Sequence, residues 1–122
     1  MTKYGEFVDA MREVAKGAGG EAETHFEAWC AMATEEQWKE FREMPLSKEL
    51  VAAFAEDMAN AFREVIALTD GEELYEMRME DGHAFLQGIQ AKCVELGIDV
   101  SGIRIDVPLS LSDGLRMAQL TA

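Results

Sequence analysis

The stretch SKELVAAFAEDMANAFREVIALT, residues 47–69, reads as one amphipathic helix. Leu50, Val51, Phe54, Met58, Ala61, Phe62, Val65 and Ile66 recur at three- and four-residue spacing, the period that lines one helical face. Ser47 stands where an N-cap belongs, just after Pro45, whose ring disfavours helical geometry in the residue before it. A helix over 48–69 would span about 33 Å, longer than the globular average. An element of that length with one apolar stripe needs other helices to cover it, so the chain is expected to be all-α.

Outward from this helix the same period continues. Upstream, Tyr4, Phe7, Val8, Met11, Val14 and Ala15 form a stripe with Thr2 as the expected cap and Gly17 as the expected stop. The glycine-rich run at residues 17–20 reads as a loop. Ala22, Phe26, Trp29, Cys30 and Ala33 make the next stripe. Thr34 with Gln37 is a capping box that opens another helix, lined by Trp38, Phe41 and Met44. Downstream, Thr69 with Glu72, or Asp70 with Glu73, offers a second capping box. Leu74, Met77 and Tyr75 are expected to face inward there. Asp81-Gly82 reads as an interruption, after which Phe85, Leu86, Ile89, Cys93 and Leu96 resume a helix that Gly97 closes.

The last quarter changes character. Ile103, Ile105 and Val107 alternate with Arg104 and Asp106, the period-2 pattern of a half-buried strand that Ile98 and Val100 extend. Ser110 and Ser112 are caps for a short helix over 115–120. The expected architecture is therefore an all-α, compact bundle of five to six helices with an extended or short-strand C-terminal segment from about residue 98. Residues 1–122 form a single domain. The lone strand offers a route to a homodimer by edge pairing.

Composition narrows the function classes. The 48% apolar content suits a globular chain. No leader-like apolar run follows Met1, and no stretch has the length of uncharged apolar residues that spans a bilayer, so a cytoplasmic protein without a membrane partner is expected. Cys30 and Cys93 lie in apolar stripes and read as reduced core thiols. The eight methionines read mainly as core filling, with Met11, Met58 and Met77 on core stripes.

The charge is the most specific signal. The chain carries 24 acids against 11 Lys and Arg, a net of −13. The excess is clustered. Residues 1–20 are balanced, whereas residues 70–81 hold Asp70, Glu72, Glu73, Glu76, Glu80 and Asp81 against Arg78 alone. A smaller group, Glu21, Glu23 and Glu27, lies upstream. Such a field repels nucleic acid and anionic membrane and attracts basic surfaces.

No motif fixes an enzymatic chemistry, and no cofactor is expected. Residues 17–20 lack the Lys-Ser or Lys-Thr of a phosphate loop. Glu80 and His83 form a Glu-x-x-His pair with Glu76 one turn before. That spacing places metal ligands in helical bundles, but a di-iron site needs two such pairs and two further carboxylates. Glu76, Glu80 and His83 are therefore the candidates of a metal-binding oligomer reading, which stands as an alternative beside a small structural or assembly subunit. The leading expectation is an interaction protein, an inhibitor or adaptor. Its partner-binding residues would be Asp70, Glu72, Glu73, Glu76, Glu80 and Asp81, set against a basic surface of a larger protein. Where that surface serves nucleic acid, the chain would act as a nucleic-acid mimic. By analogy of charge and size only, with no motif behind it, the chain resembles the small acidic anti-CRISPR-like proteins that phages direct against host defence, although a strong nucleic-acid mimic is expected to carry more charge than −13.

Overall fold

Ser47 caps the central helix as its position implies, its hydroxyl accepting the Leu50 N–H at 3.2 Å. The computed structural model describes residues 2–103 together with Ile105 and Leu109. These hold five helices: α1 (Tyr4–Ala18), α2 (Gly20–Cys30), α3 (Glu35–Arg42), α4 (Lys48–Ala67) and α5 (Glu72–Glu95). The described residues contain no strand; Lys3 and Pro45 form one isolated antiparallel bridge.

α4 buries Val51, Phe54, Ala55, Met58, Ala59, Phe62 and Ile66. Phe54 is the hub. Its ring lies 5.5 Å from Phe7, 6.1 Å from Phe26, 4.8 Å from Trp29 and 6.2 Å from Phe85, so one side chain joins α1, α2, α4 and α5. Burying a phenylalanine contributes about 1.5–3 kcal/mol. Both indoles also satisfy their N–H groups: Trp38 Nε1 donates to the Cys30 carbonyl at 2.7 Å and Trp29 Nε1 to Asp57 at 3.1 Å.

Several helix boundaries depart from the expectations, each for a local reason. Thr2 does not cap α1. Lys3 occupies the N-cap without capping the helix through its side chain, and the Tyr4 N–H donates instead to the Met44 carbonyl at 2.8 Å. The chain ahead of α1 is thus fastened to residues 44–46, and the Tyr4 N–H is satisfied there without a threonine. The run 17–20 is not a loop. α1 continues through Gly17 to Ala18, and only Gly19 stands outside a helix, at φ +136°. A Cβ there would meet the Asp81 carboxylate at 2.5 Å, so both backbone and packing demand glycine. The Thr34–Gln37 capping box is present in both directions, at 3.1 and 2.8 Å. α3 has no fully buried residue; it is held by half-buried Trp38 and Phe41 and by a bidentate Arg42–Asp9 pair at 3.0 and 2.8 Å.

The largest correction concerns residues 69–95. α5 runs without a break through Asp81-Gly82. Gly82 is buried, and a Cβ on it would stand 3.1 Å from the Phe62 ring and 2.6 Å from Leu109 Cδ1. The glycine lets two helices approach; it does not end one. Neither proposed capping box forms at the start, because Gly71 occupies the N-cap and the Thr69 hydroxyl is bonded elsewhere. At the far end Gly97 closes α5 as expected. Its φ is +73°, the Ile98 N–H reaches the Cys93 carbonyl at 2.8 Å, and its own N–H reaches Val94 at 3.1 Å, which is a Schellman closure.

α1 and α5 are antiparallel. Val14 touches the backbone at Gly88, and Gly19 lies against Asp81. After α5, Ile98 and Val100 lie in no strand. Asp99 instead accepts from the Ser101 N–H and hydroxyl at 3.0 and 2.7 Å, closing a turn that Lys48 clamps at 3.1 Å from the Asp99 carboxylate. Ile105 and Leu109 are buried in the core. Apart from Ile103 and Ile105, the expected strand over 103–107 lies outside the described residues, as do the terminal helix over 115–120 and any dimer contact built from that segment.

Candidate functional site

The first turns of α5 carry the acidic cluster. Asp70, Glu72, Glu73, Glu76 and Glu80 are all exposed. On a 3.6-residue helix the four glutamates fall within an arc of about 100° and rise about 12 Å along the axis. Among the described residues none of the five forms an ion pair.

Asp81 and Arg78, which share the segment, face the other way. Asp81 is half-buried; its Oδ2 accepts the Glu21 N–H at 3.3 Å and so caps the start of α2 from another helix. Arg78 is half-buried as well. Its Nε lies 3.2 Å from Glu21 Oε1, and its Nη1 donates to the Thr69 hydroxyl at 2.6 Å. Thr69 in turn donates to the Val65 carbonyl. The only base in residues 70–81 is therefore withdrawn from the outer face, together with one of the six acids.

The inner cluster extends to His25. Its ring stacks edge-on against Phe62 at 4.7 Å, and its Nε2 is buried with no hydrogen-bond partner, 3.6 Å from Glu21 Oε2. That separation is too long for a hydrogen bond and would serve only a protonated ring. Burial holds the imidazole below its ordinary pKa of 6.5; Glu21 opposes the shift and Arg78 reinforces it. A histidine whose folded pKa is depressed contributes stability above the unfolded value, and that contribution is lost as pH falls from 6.5 through the folded value. The melting temperature is accordingly expected to fall between pH 7.5 and 5.5, and His25→Gln is expected to flatten that slope. Scanning calorimetry across the range checks this; parallel slopes for the two proteins would remove His25 from the account. The ion-paired carboxylates Asp9, Glu43 and Asp99, all held below their usual range by Arg42, Lys3 and Ser101 respectively, lose their contributions only at lower pH.

Metal and nucleophilic chemistry find little here. α5 carries Glu76, Glu80 and His83 on adjacent turns, yet no three His, Cys, Asp or Glu side chains among the described residues are grouped to hold an ion. His83 is half-buried beside Leu86, Gln87 and Gln90. Cys93 is fully buried, and Cys30 half-buried in a groove with Arg12, Trp38 and Arg42. Burial pushes both thiols above their ordinary pKa, which suppresses the reactive thiolate. The two arginines of that groove are already committed, Arg12 to Glu27 and Arg42 to Asp9.

Leu74 and Met77 were expected to face inward, but they are 38% and 42% exposed; Met44 and Leu96, expected on apolar stripes, are exposed as well, and Leu68 at the end of α4 is 86% exposed. No helix among the described residues is long and apolar enough to cross a membrane. No protein-family model, curated protein or solved structure matches this chain.

Proposed function

We propose that this protein is a small acidic interaction module, an inhibitor or adaptor that docks the start of α5 onto a basic surface of a larger protein. The observation that carries the reading is the sorting of charge in residues 70–81. Arg78 and Asp81 are turned inward to Glu21, Thr69 and the α2 terminus, which leaves Asp70, Glu72, Glu73, Glu76 and Glu80 as an outer face of one sign. Stability does not account for that face. Glu72–Glu76 and Glu76–Glu80 are like-charge pairs at i, i+4, each costing a few tenths of a kcal/mol. The helix dipole offsets this for Glu72 and Glu73 in the first turn and not for Glu80.

The test is a variant with Glu72, Glu73, Glu76 and Glu80 all replaced by Gln. Its unfolding free energy is expected to equal or slightly exceed that of the parent. Capture of basic proteins from a host lysate, compared at 50 and 300 mM salt, is expected to fall with salt for the parent and to be lost in the variant. Equal capture by both proteins would refute the assignment of this face.

A further inference from the structure

α5 presents a seam to α1, and that seam outlasts α1. Leu74, Asp81 and Gly88 are spaced by seven residues, two helical turns, and so stand nearly in line on one side of α5. α1 covers two of the three positions: Val14 packs onto Gly88, and Gly19 lies against Asp81. α1 ends there, at Ala18. Leu74 is the next position along the same line, and it is exposed together with Met77, one turn from it. Further along α5, Phe85 occupies a neighbouring angular position and is fully buried. Leu74 and Met77 thus continue a helix-packing surface for about two turns beyond the helix that would cover it.

Charge says what covers it. On the helical wheel Met77 stands about 40° beyond Glu73, and Leu74 about 60° beyond Met77, so the apolar ledge is flanked along one side by Glu73, Glu76 and Glu80. A second copy of this chain would bring another net −13 and the same acidic face to the contact. The chain's own residues 110–122 carry one acid, Asp113, and one base, Arg116, too little to match five carboxylates. A bare phosphate-binding surface would match the acids and leave Leu74 and Met77 against polar groups.

We propose that the ledge takes a basic amphipathic helix of a partner protein, stacked on α5 where α1 stops, its apolar stripe on Leu74 and Met77 and its Lys and Arg residues over Glu73, Glu76 and Glu80. This deepens the docking function proposed above and rests on it. Leu68, which follows α4 just before α5 begins, is exposed as well.

Two synthetic peptides of identical composition test it, one with Lys and Leu arranged at a 3.6-residue period and the other scrambled, each titrated into the isotopically labelled full chain and followed by amide shifts. The amphipathic peptide is expected to bind about tenfold more tightly than the scramble, with shifts concentrated in residues 68–80. Leu74→Ser/Met77→Ser is expected to erase that tenfold advantage and leave scramble binding unchanged. Both side chains are substantially exposed, so the fold should persist; should its melting temperature drop, Leu74→Gln/Met77→Gln repeats the measurement. Equal affinity for both peptides, unmoved by either variant, would overturn the ledge and leave the acidic docking function standing. Absence of binding to either peptide would overturn both. A parent protein that sediments as a dimer, and a serine variant that sediments as a monomer, would overturn the ledge in favour of self-association.

Discussion

Replacing Phe54 by Ala is expected to cost about 3–5 kcal/mol of unfolding free energy, the range for truncating a fully buried aromatic. Phe54 is 1% exposed and its ring meets Phe7, Phe26, Trp29 and Phe85, which come from three other helices. Those neighbours cannot all relax into the same void, because each is fixed by its own helix. Total stability for a domain is about 5–15 kcal/mol, so the variant should stand near its unfolding threshold at 37 °C. Phe54→Leu retains most of the volume and should cost about 1.5 kcal/mol or less beyond its lost ring contacts. Urea unfolding of the three proteins checks the order, with the denaturant slope unchanged among them. A loss below about 1 kcal/mol for the alanine variant would mean that Phe54 is not the hub described.

What the sequence made legible follows from which signals are local. The apolar period of residues 47–69, the Ser47 cap, the Thr34–Gln37 box and the Gly97 stop all depend on neighbours within a few positions, and all are present in the fold. The errors come from residues whose partners are far away in the chain. Gly82 looks like a helix breaker until Phe62 is set against it. Thr69 looks like a cap until Arg78 takes its hydroxyl. Asp81 looks like one more surface acid until the α2 terminus, sixty residues upstream, is laid beside it.

One such error propagated into the reading of the site. With a break assumed at Asp81-Gly82, residues 72–80 were a separate helix whose inward side was free to be Leu74 and Met77. In the continuous α5 the inward side is set by Gly82, Phe85, Leu86, Ile89 and Cys93. Arg78, Met79 and Tyr75 lie one and two turns before Gly82 and are half-buried. Leu74, one turn before Arg78, stands at the edge of that side, exposed beyond the end of α1, and Met77 falls outside it. The acidic stripe was visible in sequence, since clustering needs only counting. The apolar ledge beside it was not, because its visibility depends on where α1 stops.

Arg78→Ala is expected to cost about 2–3 kcal/mol, more than any other substitution of a charged residue in α5. Only 22% of the Arg78 side chain and 21% of the Glu21 side chain remain exposed, so Glu21 would lose its cationic partner where water replaces it poorly. The loss spreads through shared groups. Thr69 would lose the donor to its hydroxyl, and the end of α4 its tie to α5. Because Asp81 caps the same turn of α2 through the Glu21 N–H, loosening Glu21 also loosens the α2–α5 junction. Glu21→Gln should cost less, since a neutral amide can still accept from the guanidinium. The double variant Glu21→Gln/Arg78→Met should recover part of the Arg78→Ala loss, because it removes the buried charge as well as its partner. With Arg78→Met added as the matching single variant, thermal and urea unfolding close the cycle and give the coupling energy. The same set separates fold from docking. Arg78→Ala raises the net negative charge yet leaves the outer carboxylates in place, so at temperatures well below its melting point it should capture basic partners as well as the parent does. A stability loss with retained capture is the expected pair of results. Capture lost in a folded Arg78→Ala variant would mean that the inner cluster, and not the outer glutamate face, makes the contact.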